Sequence, residues 1–472
     1  MPSPKLDGLE LEVQEKSAPQ KPRLRVEIPG IHRILSSPRF RVALHGSAWT
    51  LVGYGASQLF RLTTTMVLAR HLLNPKAFGL VALATVALSG LDLLTDLGIG
   101  MDVVQHKRGD EPSFLNTAFT IAAGRGVLLA IVAALLAYPF AAFYHQPEIT
   151  GLTMVAALTI AIRGTASTSV WTMSRHVQLG KLTILTAAGD FIGLAVSIVW
   201  AILSPTAWAL VAGRVATAAA FSIGSHLVAS ERISFTWDKT AAKEIMMFGS
   251  GIFISSGTYF LSAEAERLAI GKFVSMAELG CFSLALSMAA APSGALQQVV
   301  GKVFFPLLAS SLRQHNDLAA AHYKKTRLTF LVVSVILAVG FIAYSHRVVA
   351  LALPPQYAMT GWMLQLLGFR AALDVFIAPA SNLIFACGHS RHAALANTAR
   401  LALMTAGLWI AFLKFGLHEA VWILALLPTI AYLVLLQGVI QHFRQVLWLE
   451  IASFAIFLSI SVAAVLVPWP FA

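Results

Sequence analysis

The stretch Phe248–Pro306, FGSGIFISSGTYFLSAEAERLAIGKFVSMAELGCFSLALSMAAAPSGALQQVVGKVFFP, decides how this chain is read. It holds two apolar runs, each long enough to cross ~30 Å of hydrocarbon as a helix. A short polar break, Val274-Ser275-Met276-Ala277-Glu278, divides them. The first run ends in three close charges, Glu264, Glu266 and Arg267, and the second carries Pro292 in its interior. Membrane-length helices with charge at their joint, and Gly or Pro within them, suggest a transport path more than a passive anchor.

A similar joint stands in the first half of the chain. Arg70–Ala84, RHLLNPKAFGLVALA, aligns without gaps on Gly271–Ala285, GKFVSMAELGCFSLA, so that Gly79 falls on Gly280 and Leu83-Ala84 on Leu284-Ala285. Ile162-Arg163 and Phe369-Arg370 make a second match, each expected near mid-helix. The chain therefore reads as an internal duplication. Parallel repeats of this kind put the substrate path between the two halves.

Composition agrees. The chain is 57% hydrophobic and 12% charged, against roughly 25% charged residues in soluble domains. It is an integral membrane protein, and a helical bundle is expected because helices satisfy their own backbone groups in lipid. A barrel would show short alternating segments instead. The net charge of +12 sits mainly in the N-terminal tail and alternate loops, which points to membrane topology rather than to nucleic acid. Cys281 and Cys387 both fall in apolar helices, which leaves no disulfide framework and no cysteine metal site. The histidines show no metal-ligand spacing, and no cofactor is expected.

The expected fold is an all-α polytopic membrane protein with two six-helix lobes related by duplication around a central cavity, plus one extra C-terminal helix, 12–14 transmembrane helices in all. The boundaries are a cytoplasmic tail with a basic amphipathic segment over 1–40, a first lobe over 41–230 and a cytoplasmic linker over 231–244. A second lobe follows over 245–442, and the extra helix over 443–472. About thirteen apolar segments carry this reading, at approximately 47–70, 78–104, 115–143, 149–173, 182–203, 206–229, 245–271, 278–303, 327–345, 360–388, 393–415, 419–441 and 448–468. One set of alternate loops carries Lys107, Arg108, Arg175, Lys181, Arg232, Lys239, Lys243, Arg313, Lys324, Lys325, Arg327, Arg391 and Arg444. That bias puts the N-terminus in the cytoplasm, and an odd count puts the C-terminus outside.

The informative residues are charges far from helix ends, each of which costs at least ~2.5–3.5 kcal/mol at the bilayer centre. The positive ones are Arg61, Arg125, Arg163, Arg214, Arg370 and Arg400; the negative ones are Asp92, Asp96, Asp190, Glu264, Glu266 and Asp374. Arg370 and Asp374 share a helical face and can form a private ion pair. Asp92 and Asp96, also four apart, repel and need a partner or a proton. Arg125, Arg163, Arg214 and Arg400 have no acid one turn away, so they line a cavity or pair with an Asp on another helix. Arg61 stands nearer the outer end, where snorkelling also serves. Glu264, Glu266 and Arg267 lie near an outer helix end, where interfacial solvation alone explains them as readily as a role in gating. So many arginines point to an anionic ligand, because guanidinium keeps its charge and forms forked bonds to phosphate.

Absences narrow the classes further. No GxxxxGK[ST] phosphate loop is present, so ATP is not hydrolysed in that manner. No soluble domain is large enough for a glycosyltransferase, and no outer loop suggests a polymerase or ligase.

The run AERLAIGKFVSMAELGCFSLALSMAAAPSGALQQVVGKVFFPLLASS resembles the polysaccharide transporter family of oligosaccharide flippases, the Wzx-type members of the multidrug/oligosaccharidyl-lipid/polysaccharide exporter superfamily. The residues that carry the resemblance are Glu266, Ile270-Gly271-Lys272, Leu279-Gly280-Cys281-Phe282, Ala285 and Val303-Phe304-Phe305-Pro306, with LARHLLNPKAFGLVALA and DLLTDLGIG in the first lobe. Two departures stand out: Glu266 replaces a frequent Asp, and a very short end follows the last helix where many relatives have another.

The resemblance implies a non-enzymatic flippase that moves undecaprenyl-diphosphate-linked oligosaccharide across a bacterial inner membrane by alternating access, for exopolysaccharide or lipopolysaccharide synthesis. Arg125, Arg163, Arg214, Arg370 and Arg400, with Arg61, would hold the diphosphate and sugars. The lipid tail would stay among membrane lipids beside segments one and eight. Asp92, Asp96, Asp190 and Asp374 are candidates for coupling to H+ or Na+, and Glu264, Glu266 and Arg267 for gating. A polysaccharide polymerase and export machinery are the implied partners. The alternatives are an ion-coupled multidrug antiporter, which needs an acidic, aromatic-lined cavity, and a membrane polymerase or ligase, which makes product rather than changing sidedness.

Overall fold

The structure, a computed structural model, describes residues 38–94, 98–229, 233–314, 316–388 and 390–467. The basic segment expected before the first helix lies largely outside them. Residues 45–472 form one compact unit, and everything below concerns it. The first half runs α1 (Pro38–His71), α2 (Pro75–Leu94), α3 (Ile99–Gln105), α4 (Pro112–Phe143), α5 (Glu148–Gly164), α6 (Ser169–Arg175), α7 (Leu179–Leu203) and α8 (Trp208–Leu227). The second runs α9 (Lys239–Phe273), α10 (Met276–Val299), α11 (Phe305–Gln314), α12 (Asn316–Ala352), α13 (Met359–Ala386), α14 (Ser390–Lys414), α15 (Leu417–His442) and α16 (Leu447–Leu466).

Among the described residues each expected apolar segment falls mainly on helix. Ten helices among the described residues are each long and apolar enough to cross a membrane, and α5 with α6, bent by 60°, makes an eleventh if the pair counts as one span. At 34 and 35 residues, α1 and α9 also exceed the hydrocarbon thickness. The second expected segment falls on α2 and α3, and the fourth is broken between α5 and α6.

Local chemistry sets the ends. Ser275 and Glu278 form a reciprocal capping box at the start of α10: the Ser275 N–H donates to Glu278 Oε2 at 2.9 Å, and the Glu278 N–H to Ser275 Oγ at 3.3 Å. Asp238 caps α9 by accepting from the Thr240 N–H at 2.8 Å. The linker expected over 231–244 is therefore helical from Lys239 onward. Past α10 the chain widens into a π turn over Val300–Phe304. Pro306 has no N–H, so the regular ladder loses a donor there.

One expectation is corrected. Arg327, counted among the charges of a cytoplasmic loop, is fully buried on α12. That helix runs from Asn316 to Ala352, well beyond the expected 327–345. A tripartite anchor explains the burial. Arg327 Nη2 pairs with Glu450 Oε2 of α16 at 2.9 Å, Tyr323 and Tyr432 donate their hydroxyls to the same carboxylate at 2.6 and 2.7 Å, and the guanidinium lies 3.7 Å from the Phe376 ring centroid.

Helices within a lobe approach through small residues, as expected where lipid supplies no hydrophobic drive between them. On α7 and α8, a Cβ added at Gly193 would lie 2.8 Å from the Gly213 carbonyl oxygen. The two lobes meet through α2 and α10.

The distribution of apolar cores fixes the shape. One core takes residues from both lobes, among them Leu73 and Ile149 of the first and Ile270, Tyr357 and Ala420 of the second. All stand near the helix ends that hold the turns 72–74 and 274–275. At the opposite ends the cores divide. Val300, Ala319, Phe376 and Val446 form one within the second lobe. Ile99, Phe114 and the first turns of α9 form the other. One core is thus shared by the two lobes, the second lies within the second lobe, and the third fastens the start of α9 to the first lobe.

Candidate substrate cavity

The break between α5 and α6 positions the first candidate arginine. Arg163 is the penultimate residue of α5 rather than a mid-helix residue, and its guanidinium stands at a helix C-terminus, where the dipole favours a cation. The broken ladder is satisfied by α8. The Ser167 N–H donates to Ser225 Oγ at 2.8 Å, Thr165 and Ser222 hydroxyls lie 3.2 Å apart, and His226 reaches the Thr165 carbonyl at 2.8 Å. Broken spans at membrane depth are tolerated where they line a cavity.

Arg214 of α8 is the hub. Its charge is felt by Arg61 of α1, Arg163 of α5 and Arg267 of α9, with Glu264 of α9 as the one opposing group. Four guanidiniums against one carboxylate leave a net excess of three positive charges. Arg61, Arg163 and Arg214 are exposed although each is set back from the outer end of its span. Charges from α1, α5 and α9 therefore stand within electrostatic reach of Arg214 on α8. At 1.5 Å per residue, Arg214 and Arg267 lie at similar depth, about 9 Å from their nearer helix ends. Arg267 Nη1 pairs with Glu264 at 2.5 Å, whereas Arg61, Arg163 and Arg214 have no ion pair with another described residue.

The other arginines are paired. Arg125 of α4 donates to the Asp92 carboxylate of α2 at 2.9 Å and to its backbone carbonyl. Arg370 of α13 is buried and bonded to Glu266 of α9, also buried. Asp374, one turn on, stands 4.0 Å from Arg370 and 3.4 Å from Arg400 of α14. The pair expected between Arg370 and Asp374 is therefore secondary to Glu266. Asp190 of α7 is half-buried and has no ion pair among the described residues; Asp96 lies outside them.

Helical phase makes α9 the junction of both groups. Glu264 and Arg267 are 60° apart around the axis and turn toward the first-lobe arginines. Glu266 lies well round the helix from both and turns toward Arg370. One end of the second network opens into a cavity of about 370 Å³ bordered by Asp374 and Arg400. Among the described residues no cluster of His, Cys, Asp and Glu could hold a metal ion.

Sequence patterning located the individual charges. It missed the break after Arg163, for which the polar run Thr165-Ala166-Ser167-Thr168-Ser169 was the available signal. It also missed Glu450, a single acid near the start of an apolar helix.

Comparison with known proteins places this geometry. Residues 67–360 match the family model described as "Polysaccharide biosynthesis protein". The chain is similar to the succinoglycan biosynthesis transport protein ExoT of Rhizobium meliloti (strain 1021), 20% identical over 60% of this chain and 56% of that protein, so the match spans little more than half of that relative. It is also similar to the teichuronic acid biosynthesis protein TuaB of Bacillus subtilis (strain 168), 21% identical over 72% of this chain and 71% of that one. Among solved structures it resembles the lipid II flippase MurJ in an inward closed conformation, with TM-score 0.64 and 14% identity over 90% of this chain and 97% of that one. It also resembles an inward-facing multidrug resistance transporter of the MATE family, with TM-score 0.60 and 11% identity over 84% and 95%. With a family match over more than half its length, and on a fold shared with transporters of the MOP superfamily, the chain belongs to the polysaccharide biosynthesis protein family.

Proposed function

We propose that this protein is a flippase for undecaprenyl-diphosphate-linked oligosaccharide, working by alternating access in a bacterial inner membrane with its N-terminus in the cytoplasm. One observation carries the reading: Arg61, Arg163 and Arg267 stand within electrostatic reach of Arg214, with the Glu264 carboxylate beside them. A diphosphate neutralises that excess and accepts forked bonds from several guanidiniums at once. Water-filled surroundings would make it affordable to keep these charges between visits of the ligand.

The division of cores supports the cycle. The largest core is shared by both lobes, whereas the opposite ends have a core within the second lobe and another that joins the start of α9 to the first. Rocking the lobes about α2 and α10 would exchange the open side. Arg370 and Arg400 would lie along the sugar side of the path, and Arg125 would steady α2 against α4 through Asp92. Coupling to H+ or Na+ would fall first to Asp190, since Asp92 and Asp374 are held by arginines.

The test is complementation of a strain that lacks its own flippase, with surface glycan quantified and protein level controlled. Arg163→Gln and Arg214→Gln should each abolish most surface glycan, and Arg214→Lys should retain part of it. Undiminished export by the Arg163→Gln/Arg214→Gln double variant would remove the basis of the proposal.

A further inference from the structure

The cavity in the second lobe has a lining that the arginine cluster lacks. Gln297 comes from α10, Asp374, Ser381 and Asn382 from α13, and Asn397 and Arg400 from α14, while the wall from α15 is apolar. Gln297, Ser381 and Asn397 make no side-chain hydrogen bond to another described residue. Asn382 commits one amide hydrogen to the Ala378 carbonyl of its own helix at 2.9 Å, which leaves its oxygen and second hydrogen available. Gln297 and Asn397 are exposed and Ser381 and Asn382 half-buried, so these polar groups stand open to whatever fills the cavity. They suit an occupant with its own hydrogen-bonding groups.

The kinds of group present identify that occupant. An anion site offers donors, and a cation site offers acceptors. Here Arg400 only donates, Asp374 only accepts, and the two Asn, the Gln and the Ser do both. Such a mixture matches hydroxyl groups, each of which donates and accepts. The volume, about 370 Å³, lies at the small end of ligand pockets and suits one or two sugar rings rather than a whole repeat unit. The site also adjoins the charge network. Asp374 connects through Arg370 to Glu266, which shares a turn of α9 with Arg267 of the arginine cluster.

We propose that this cavity is a saccharide subsite that takes the sugars next to the diphosphate and sets which glycan is accepted. The proposal rests on the flippase reading above and deepens it.

The test measures binding to the purified full chain in lipid nanodiscs. The probes are undecaprenyl diphosphate alone and the same lipid carrying a single glucose, galactose or N-acetylglucosamine. The wild type should bind at least one glycosylated probe several-fold tighter than the bare lipid. Gln297→Ala combined with Asn397→Ala should abolish that preference and leave affinity for the bare lipid within twofold. Thermal unfolding of the variant guards against a folding defect, and the conservative pair Gln297→Asn with Asn397→Gln provides a second reading at preserved polarity. A preference unchanged by the alanine pair, or equal affinity of the wild type for all four probes, overturns the subsite and leaves the flippase reading standing. Failure of the wild type to bind any of the four overturns both.

Discussion

Gly79 of α2 and Gly280 of α10 face each other as symmetry mates. A Cβ at Gly79 would lie 1.9 Å from the Met276 carbonyl oxygen, and a Cβ at Gly280 would lie 1.9 Å from that of Pro75. In the gapless alignment of the two halves Gly79 falls on Gly280 and Pro75 on Met276, so the two contacts are one contact seen from either repeat. Only a residue without Cβ lets the backbones approach this closely, and the lobes join there. Gly79→Ala and Gly280→Ala should therefore behave alike. Each forces the helices apart at an overpacking cost of about 1–3 kcal/mol, measurable as a lower unfolding temperature in detergent. Distances between spin labels on the two lobes should lengthen at the joined face. A large effect from one glycine and none from its mate would contradict the symmetric contact.

The Glu266–Arg370 pair is buried on both sides, at 3% and 10% side-chain exposure. Removing one partner strands a charge, which costs about 3–5 kcal/mol for buried pairs. Glu266→Gln and Arg370→Met should each be strongly destabilising. The double variant should cost clearly less than their sum, giving a coupling above about 1 kcal/mol in a double-mutant cycle. Additive losses would mean that the two side chains act independently.

The last helix is held by one carboxylate. Glu450 of α16 receives Arg327, Tyr323 and Tyr432 in a site where both members of the ion pair are fully buried. Glu450→Gln keeps the shape but leaves Arg327 uncompensated. Hydrogen exchange over 447–466 should rise markedly while exchange in α4 and α5 stays unchanged. Arg327→Lys should also fail, since an ammonium cannot reproduce the planar stack on Phe376. Unaltered protection of α16 in Glu450→Gln would show that apolar packing alone holds it.

A pH-sensitive contact closes the start of α9. The Arg108 guanidinium donates to Asp238 at 3.0 Å, as well as to Glu111 and Glu244, and this bond, with the capped Thr240 N–H, holds the Asp238 carboxyl below its ordinary value. For a depressed carboxylate, the linked stability is present above the unfolded value, roughly pH 4, and is lost as pH falls through the folded one. Protease cleavage in the linker near residue 235 should therefore be constant across neutral pH and rise under acid conditions below about pH 4. Asp238→Asn should show the raised cleavage already at pH 7. An Asp238→Asn profile matching the wild type would exclude this contact as the fastening.

Sequence alone determined the class, the helical spans and the duplication. Continuous apolar runs of membrane length admit few other solutions, and the match of Gly79 to Gly280 is written in the order of residues. It also singled out the charges set within the spans, since an apolar span leaves an arginine few places to go. Tertiary structure decided which of those charges meet. Helical phase on α9 sends Glu264 and Arg267 to one network and Glu266 to the other. The α5–α6 break moves Arg163 to a helix end, and contacts between helices pair Arg125 with Asp92 and Arg370 with Glu266. Arg327 shows the limit most clearly. Among neighbouring lysines it reads as a loop charge, and only the arrival of Glu450, Tyr432 and Phe376 from three other helices makes its burial favourable. Spacing along one chain reports a helix face, whereas the partner across that face is set by how the helices pack.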